Sequence, residues 1–146
     1  MIKSAVAIPN PFDPQSSALA PLRPRQRAAG ERPRILVVDD DEAFRVGARK
    51  LLTEHGFEVV LGADFREALK VLESSDYLDL LVTDIMMPGR IHGFALARMA
   101  RMRRLGLKVL YITGYDVPTV EAAGKVLCKP ISDEELLREV RAALDA

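Results

Sequence analysis

The sequence has one cysteine, no net charge and no apolar run long enough to cross a bilayer. A lone cysteine forbids an internal disulfide framework, which fits a reducing, cytoplasmic setting. Cys128 lies in an apolar stretch, where the expectation is plain core filling. No membrane insertion is expected, since a span needs roughly 20 consecutive apolar residues. The opening stretch MIKSAVAIPNPF is cut short by Pro9, and its single lysine and brief apolar run fall short of a secretory signal. The zero balance conceals an asymmetry. Residues 1–34 carry six basic residues against Asp13 and Glu31, a net +4, so the remaining 112 residues carry −4. A basic leader can meet nucleic acid or an acidic partner. This one lacks aromatic interleaving and helical periodicity, so no direct DNA binding is expected. Six of the nine prolines also fall here. Each fixes φ and withholds a backbone donor, so residues 1–33 read as a disordered Pro/Arg-rich tail and 34–146 as the ordered domain.

From Arg34 the pattern alternates. RILVVD is a β-branched apolar run of the kind that is buried on both faces of a sheet. EAFRVGARKLLTEHG repeats apolar positions at helical spacing and stops at Gly56. FEVVLGA is a second strand, and DFREALKVLESS a second helix opened by an Asp64–Glu67 capping box. LDLLVTD, KVLYITG and KVLCKP supply three more strands, and FALARMARMRRLG a third helix. A last helix starts at a second capping box, Ser132–Glu135. The stretch GYDVPTVEAA between strands four and five leaves room for only one or two helical turns. Strand alternating with helix means parallel pairing through right-handed crossovers, hence a three-layer α/β sandwich.

Ligands of such sheets bind outside the carboxyl ends of the strands. Strand one ends in Asp39 and Asp40, strand three in Asp84, strand four in Thr113, and strand five in Lys129 before Pro130. Three carboxylates, a hydroxyl and an ammonium should therefore meet at one edge. Carboxylate oxygens select a hard divalent ion, and Mg2+ suits a few carboxylates, waters and a phosphate. His55, His92 and Cys128 fall elsewhere, which argues against zinc. An aspartate beside Mg2+ and lysine is a competent phosphoryl acceptor. Asp41 and Glu42 are expected to serve as cap and turn residues. Arg98, Arg101, Arg103 and Arg104 are expected to form the solvated face of the third helix, with Met99 and Met102 as packing residues.

Asp39-Asp40, Asp84 followed by IMMPG, Thr113-Gly114 and Lys129-Pro130 together resemble the receiver domain of bacterial two-component response regulators. The resemblance covers about residues 34–146. It implies a flavodoxin-like five-stranded parallel sheet in the order 2-1-3-4-5, with the fourth helix short or absent here. By the same resemblance Asp84 is the phosphoacceptor, Asp40 a direct Mg2+ ligand, Asp39 a ligand mainly through water, and the Met86 carbonyl a further ligand. Thr113 is the switch hydroxyl, Lys129 the phosphoryl-contacting lysine, and Lys129–Pro130 a cis peptide. The partners implied are a sensor histidine kinase or phosphotransfer protein and an unnamed downstream protein, with a weak homodimer allowed. The sequence departs from the family at Val126, where receivers usually carry Tyr or Phe three residues before the lysine. Tyr115, just past Thr113-Gly114, is a stand-in for that aromatic by its likeness to single-domain receivers with a Thr-Gly-aromatic motif.

The sequence stops after the last predicted helix, so the expectation is a receiver that acts without an output domain of its own. Three rivals stand beside it. One is a receiver detached from a hybrid histidine kinase. Another is a phosphorylation-independent interaction module. The third is a phosphohydrolase of the haloacid-dehalogenase type, whose second acid, two residues past the nucleophile, is replaced here by Met86.

Overall fold

A computed structural model of the chain describes residues 24–86, 93–114 and 124–146. Five strands, β1 (Arg34–Val38), β2 (Glu58–Gly62), β3 (Leu80–Asp84), β4 (Lys108–Thr113) and β5 (Val126–Cys128), alternate with helices. The helices are α1 (Glu42–Glu54), α2 (Phe65–Glu73), α3 (Gly93–Arg103) and α4 (Asp133–Asp145). The strands form one parallel sheet in the order β2-β1-β3-β4-β5, as the resemblance implies. The connection from β4 to β5, where the sequence predicts a short or absent helix, includes residues 115–123, which lie outside the described residues together with Tyr115.

Strand periodicity builds two cores, because successive side chains point to opposite faces of a sheet. Leu36 and Val38 of β1, Leu81 of β3 and Val109 and Tyr111 of β4 pack with Ala68, Leu72, Leu96 and Ala100 of α2 and α3. Ile35, Val37, Leu80, Val82, Leu110 and Ile112 face the other way, onto Ala48 and Leu52 of α1 and Leu136 and Val140 of α4. Val126 packs, half-buried, at the margin of the first core and pairs in register with Tyr111. Tyr111 lies edge-on to Phe94, with ring centroids 5.2 Å apart. The aromatic bulk missing from β5 therefore sits one strand inward.

Local signals close the helices as expected. Asp41 caps α1 by accepting from the Phe44 amide. Asp64 caps α2 through the Glu67 amide, and the Glu67 carboxylate answers to the Ala63 amide, one residue earlier than a regular capping box. Ser132 caps α4 through the Glu135 amide.

Four expectations are corrected. Residues 24–33, assigned to the disordered tail, lie across the N-terminal edge of the sheet as a strap. Arg25 pairs with Glu31 and Asp76, its backbone amide bonds to the Ser75 carbonyl, and Arg27 reaches Asp79. Arg25 and Arg34 both approach the ring of Tyr77, whose hydroxyl donates to the Arg32 carbonyl. Apart from Glu31, the side chains that hold the strap, Asp76, Tyr77 and Asp79, lie about 50 residues away in sequence, so proline content alone misjudges the segment. Arg104 does not belong to a solvated face: it is buried, and its guanidinium spans the carbonyls of Val71, Leu72, Ser74 and Asp76 at the end of α2. The last carbonyls of a helix lack intrahelical donors, and Arg104 supplies them from another element. Met102, expected to pack, is 76% exposed. Cys128 is exposed rather than core, because β5 is an edge strand that buries only Leu127 fully.

Candidate functional site

The C-terminal edge of the sheet gathers the predicted residues. Parallel register sets Val38 beside Thr83 and Asp84 beside Ile112, so Asp39, Asp84 and Thr113 emerge at one level from three adjacent strands. Thr113 is buried, and its carbonyl accepts from the Lys129 amide at 2.8 Å, which ties β5 into the same edge. The Lys129–Pro130 peptide is cis, as the resemblance implies. Among the described residues, Asp39, Asp40 and Asp84 each offer a carboxylate oxygen, and the three oxygens lie within 4.8 Å of one another.

Lys129 is the cation among them. Its Nζ lies 2.7 Å from Asp39, 3.8 Å from Asp41 and 3.9 Å from Asp84. The ammonium also sits 4.8 Å from the centre of the Phe44 ring, a contact that caps its apolar side. Burial works to lower the Lys129 pKa, but the close ion pair with Asp39, with Asp84 and Asp41 behind, outweighs it and holds the pKa above its ordinary value. The lysine therefore stays charged.

One ammonium does not neutralise three acids. Burial, and then the charge of Asp39, push the Asp84 carboxyl up to about 6, against the opposing pull of the Met86 amide and Lys129. Asp84 is almost wholly buried, and one of its oxygens accepts from the Met86 amide at 3.0 Å. Asp39 is fully buried; one oxygen accepts from the Asp41 amide, and the other has the Lys129 ion pair but no well-aligned hydrogen bond among the described residues. Asp40 is exposed at the mouth of the edge. The set fits a hard divalent ion on three grounds. Its donors are all oxygen, they lie within 4.8 Å of one another where opposite ligands of an octahedral Mg2+ are roughly 4 Å apart and adjacent ones about 3 Å, and a negative excess awaits compensation.

Three contributors escaped the sequence reading. Gly93 opens α3 against the phosphoacceptor candidate itself, its amide donating to the Ile85 carbonyl at 2.8 Å. A Cβ there would collide with the carbonyl of Asp84. Arg45, one turn into α1, donates to the Asp39 carbonyl at 2.7 Å and holds the acidic turn in place. Phe44 reads from its spacing as a packing residue, yet it also faces Lys129. Only a fold-level signal could have found these: position 93 begins the helix that follows the Asp84 loop, and Phe44 and Arg45 share the first turn after the acids.

A family model described as the response regulator receiver domain matches residues 35–141. The response regulator MprA of Mycolicibacterium vanbaalenii is 41% identical over 117 residues, covering 76% of this chain and 50% of that protein. The chain thus spans about half the length of the curated relatives it matches. Among solved structures, the receiver domain of the hybrid histidine kinase CckA is similar with a TM-score of 0.67 and 38% identity, over 76% of this chain and 98% of that one. The response regulator TrrA of Thermotoga maritima, in complex with Mg2+-BeF, is similar with a TM-score of 0.66 and 32% identity, over 77% and 99%.

Proposed function

The chain belongs to the response regulator receiver domain family, and on that premise we propose that Asp84 takes a phosphoryl group from a histidine kinase or phosphotransfer protein. A receiver is a signalling module of two-component systems rather than an enzyme with a substrate of its own. The observation that carries the proposal is the gathering of Asp39, Asp40 and Asp84 within 4.8 Å of one another, with the ammonium of Lys129 beside Asp39 and Asp84.

In the proposed transfer an Asp84 carboxylate oxygen bonds to phosphorus as the bond from phosphorus to the donor's histidine nitrogen breaks. That nitrogen keeps the electron pair and leaves as imidazole. Lys129 sits 3.9 Å from the Asp84 oxygen, close enough to take up the charge of the arriving group. Thr113, buried one strand away, is the hydroxyl assigned to contact the attached group. Asp40 directly, Asp39 mainly through water, Asp84 and the Met86 carbonyl are assigned to hold Mg2+, which when bound supplies charge neutralisation for the phosphoryl oxygens. The Mg2+-BeF complex of the similar TrrA supports that assignment.

Phosphate adds nearly two negative charges to an edge already short of cations. A population that draws Thr113 and its loop toward the phosphate is the signal a partner reads. We assign the output to binding of another protein. The likeness to the CckA receiver favours a second setting, in which such a module passes phosphate within a relay. Incubation with acetyl phosphate and Mg2+, followed by intact mass, tests the chemistry. The wild type should gain one phosphoryl group and Asp84→Asn none; labelling of both, or of neither, overturns the assignment.

A further inference from the structure

Opposite the acidic edge, the N-terminal ends of the strands open into a groove of about 980 Å3. The strap from Pro24 to Arg27 forms one wall and the end of α4, at Arg141, Leu144 and Asp145, another. Its surface is apolar inside, with Phe57, Leu78 and Leu107, and apolar at the lip, where Leu105 is 94% and Met102 76% exposed. Leu105 and Met102 thus put apolar surface at the lip of the groove, where a partner's apolar face can be buried.

Charge tells what covers it. Six basic residues line the groove against two acidic ones, a net +4. Some are already matched: Arg25 and Arg27 pair within the strap network, Arg103 faces Glu73 at 3.5 Å, and Arg104 serves the end of α2. Lys108 and Arg141 have no ion pair among the described residues. The far end of the molecule is negative, with Asp40 and Asp41 before α1, Glu42 opening it, and Asp133, Glu134 and Glu135 opening α4. That polarity steers an acidic ligand toward the groove and away from the phosphoacceptor edge. The chain's own residues 1–23 carry Lys3 and Arg23 against Asp13, a net +1, so they suit a cationic groove poorly.

We propose that this groove docks an acidic, amphipathic segment of a partner protein, with its apolar face on Leu105, Met102 and Leu107 and its carboxylates on Lys108 and Arg141. Docking there leaves the phosphoacceptor edge free, so a receiver can stay tethered while its phosphorylation changes. The proposal does not depend on the chemistry assigned to Asp84.

The probe is a fluorescein-labelled synthetic peptide of about 16 residues repeating Glu-Glu-Leu-Leu, about 24 Å long as a helix. Its control repeats Lys-Lys-Leu-Leu. By anisotropy at low salt, the full-length chain should bind the acidic peptide at least about tenfold more tightly than the basic one, and high salt should weaken it. Lys108→Glu combined with Arg141→Glu should lose about tenfold, since two attractions become repulsions. Leu105→Asp, at a site almost wholly in water, should lose a similar factor without touching the core. Amide resonances of Leu105, Gly106 and Lys108 should move on titration. The charge-reversed chain should keep the wild-type midpoint in urea denaturation, which separates lost docking from a lost fold. Equal binding of the two peptides, no binding of the acidic one, or unchanged affinity in the variants overturns the proposal. So do groove resonances that move, with no peptide present, on Ile8→Asp and Phe12→Asp, since residues 1–23 would then be the occupant.

Discussion

The two ends of this sheet carry charge in opposite ways. At the N-terminal edge, Arg25, Arg27 and Arg34 meet Glu31, Glu58, Asp76 and Asp79, and each of these arginines has a carboxylate within 3.4 Å. At the C-terminal edge, three carboxylates crowd one ammonium, and the most buried of the pairings leaves an Asp39 oxygen short of a well-aligned donor. In the first, the arginines are matched by carboxylates within the protein, with the Arg34 Nε left without a hydrogen bond among the described residues; the second carries a negative excess that a cation would offset. Matched charges secure the strap, whereas the unmatched ones hold the capacity to react. Each variant below disturbs one side of this contrast.

The largest effect should come from Arg104→Ala, on the matched side. It strips donors from carbonyls at the end of α2, two of them bonded at 2.7 and 2.8 Å, and leaves a void beside Leu72. Buried acceptors without donors cost on the order of 1–3 kcal/mol apiece, in part relieved by water. Urea denaturation should show a loss of about 3 kcal/mol, while acetyl phosphate labelling of the folded fraction continues. Gly93→Ala comes next, on the reactive side. Its methyl group meets the Asp84 carbonyl, so β3 or α3 must shift. Overpacking of this kind costs about 1–3 kcal/mol. Unlike Arg104→Ala, it should also slow Asp84 labelling by more than tenfold, because the acceptor itself is displaced. A Gly93→Ala chain that labels at the wild-type rate would show that Gly93 matters to packing alone.

Strands, helices and the meeting of five candidate residues at one edge were legible in the sequence because their signals are local: period-two apolar runs, capping residues, and polar groups at strand ends. The misjudged features all depend on distant partners. Arg104 looks like Arg98, Arg101 and Arg103 until α2 is laid beside it. The strap reads as disorder from its prolines, while Asp76, Tyr77 and Asp79, which hold it, precede another strand. Cys128 belongs to an apolar run, yet burial along it is decided by β5 lying at the sheet edge. Gly93 gives no sign in sequence that a backbone carbonyl occupies the space of its missing side chain.

Asp84→Asn should raise stability in the metal-free protein, because it removes a charge that burial and Asp39 both oppose. The carboxyl pKa of about 6 lies above its unfolded value of roughly 4. Between those values the folded state holds more protons than the unfolded one, so wild-type stability falls as pH rises through that window. With chelator present, the variant should gain about 1 kcal/mol at pH 7 in urea denaturation, less than the full shift since Lys129 loses a partner. That gain should shrink as pH falls through the window, and vanish below the unfolded value of roughly 4, where the wild-type acid is protonated in both states. Excess Mg2+ at pH 7 should stabilise the wild type and close the gap. A variant less stable than wild type at pH 7 without metal would mean that the acids of this edge are as well matched as those of the other.

The smallest effect tests the matched side by the same means and with the opposite sign. The hydrogen bond from Arg25, and then that from the Ala28 amide, hold the Glu31 carboxyl down to about 2. A depressed pKa contributes stability above the ordinary glutamate value, and that contribution disappears as pH falls toward 2. Glu31 lies at the surface, so its loss should barely move the global transition, and the readout must be local. The amide resonance of Ala28, which donates to Glu31 at 2.8 Å, should titrate with a midpoint near 2 in the wild type. In Arg25→Gln the midpoint should climb toward the ordinary glutamate range of about 4. An Ala28 midpoint already near 4 in the wild type would mean that the strap does not hold this ion pair in solution. The contrast between the two edges would then rest on the pairs of Arg27 and Arg34 and on the Arg25–Asp76 contact.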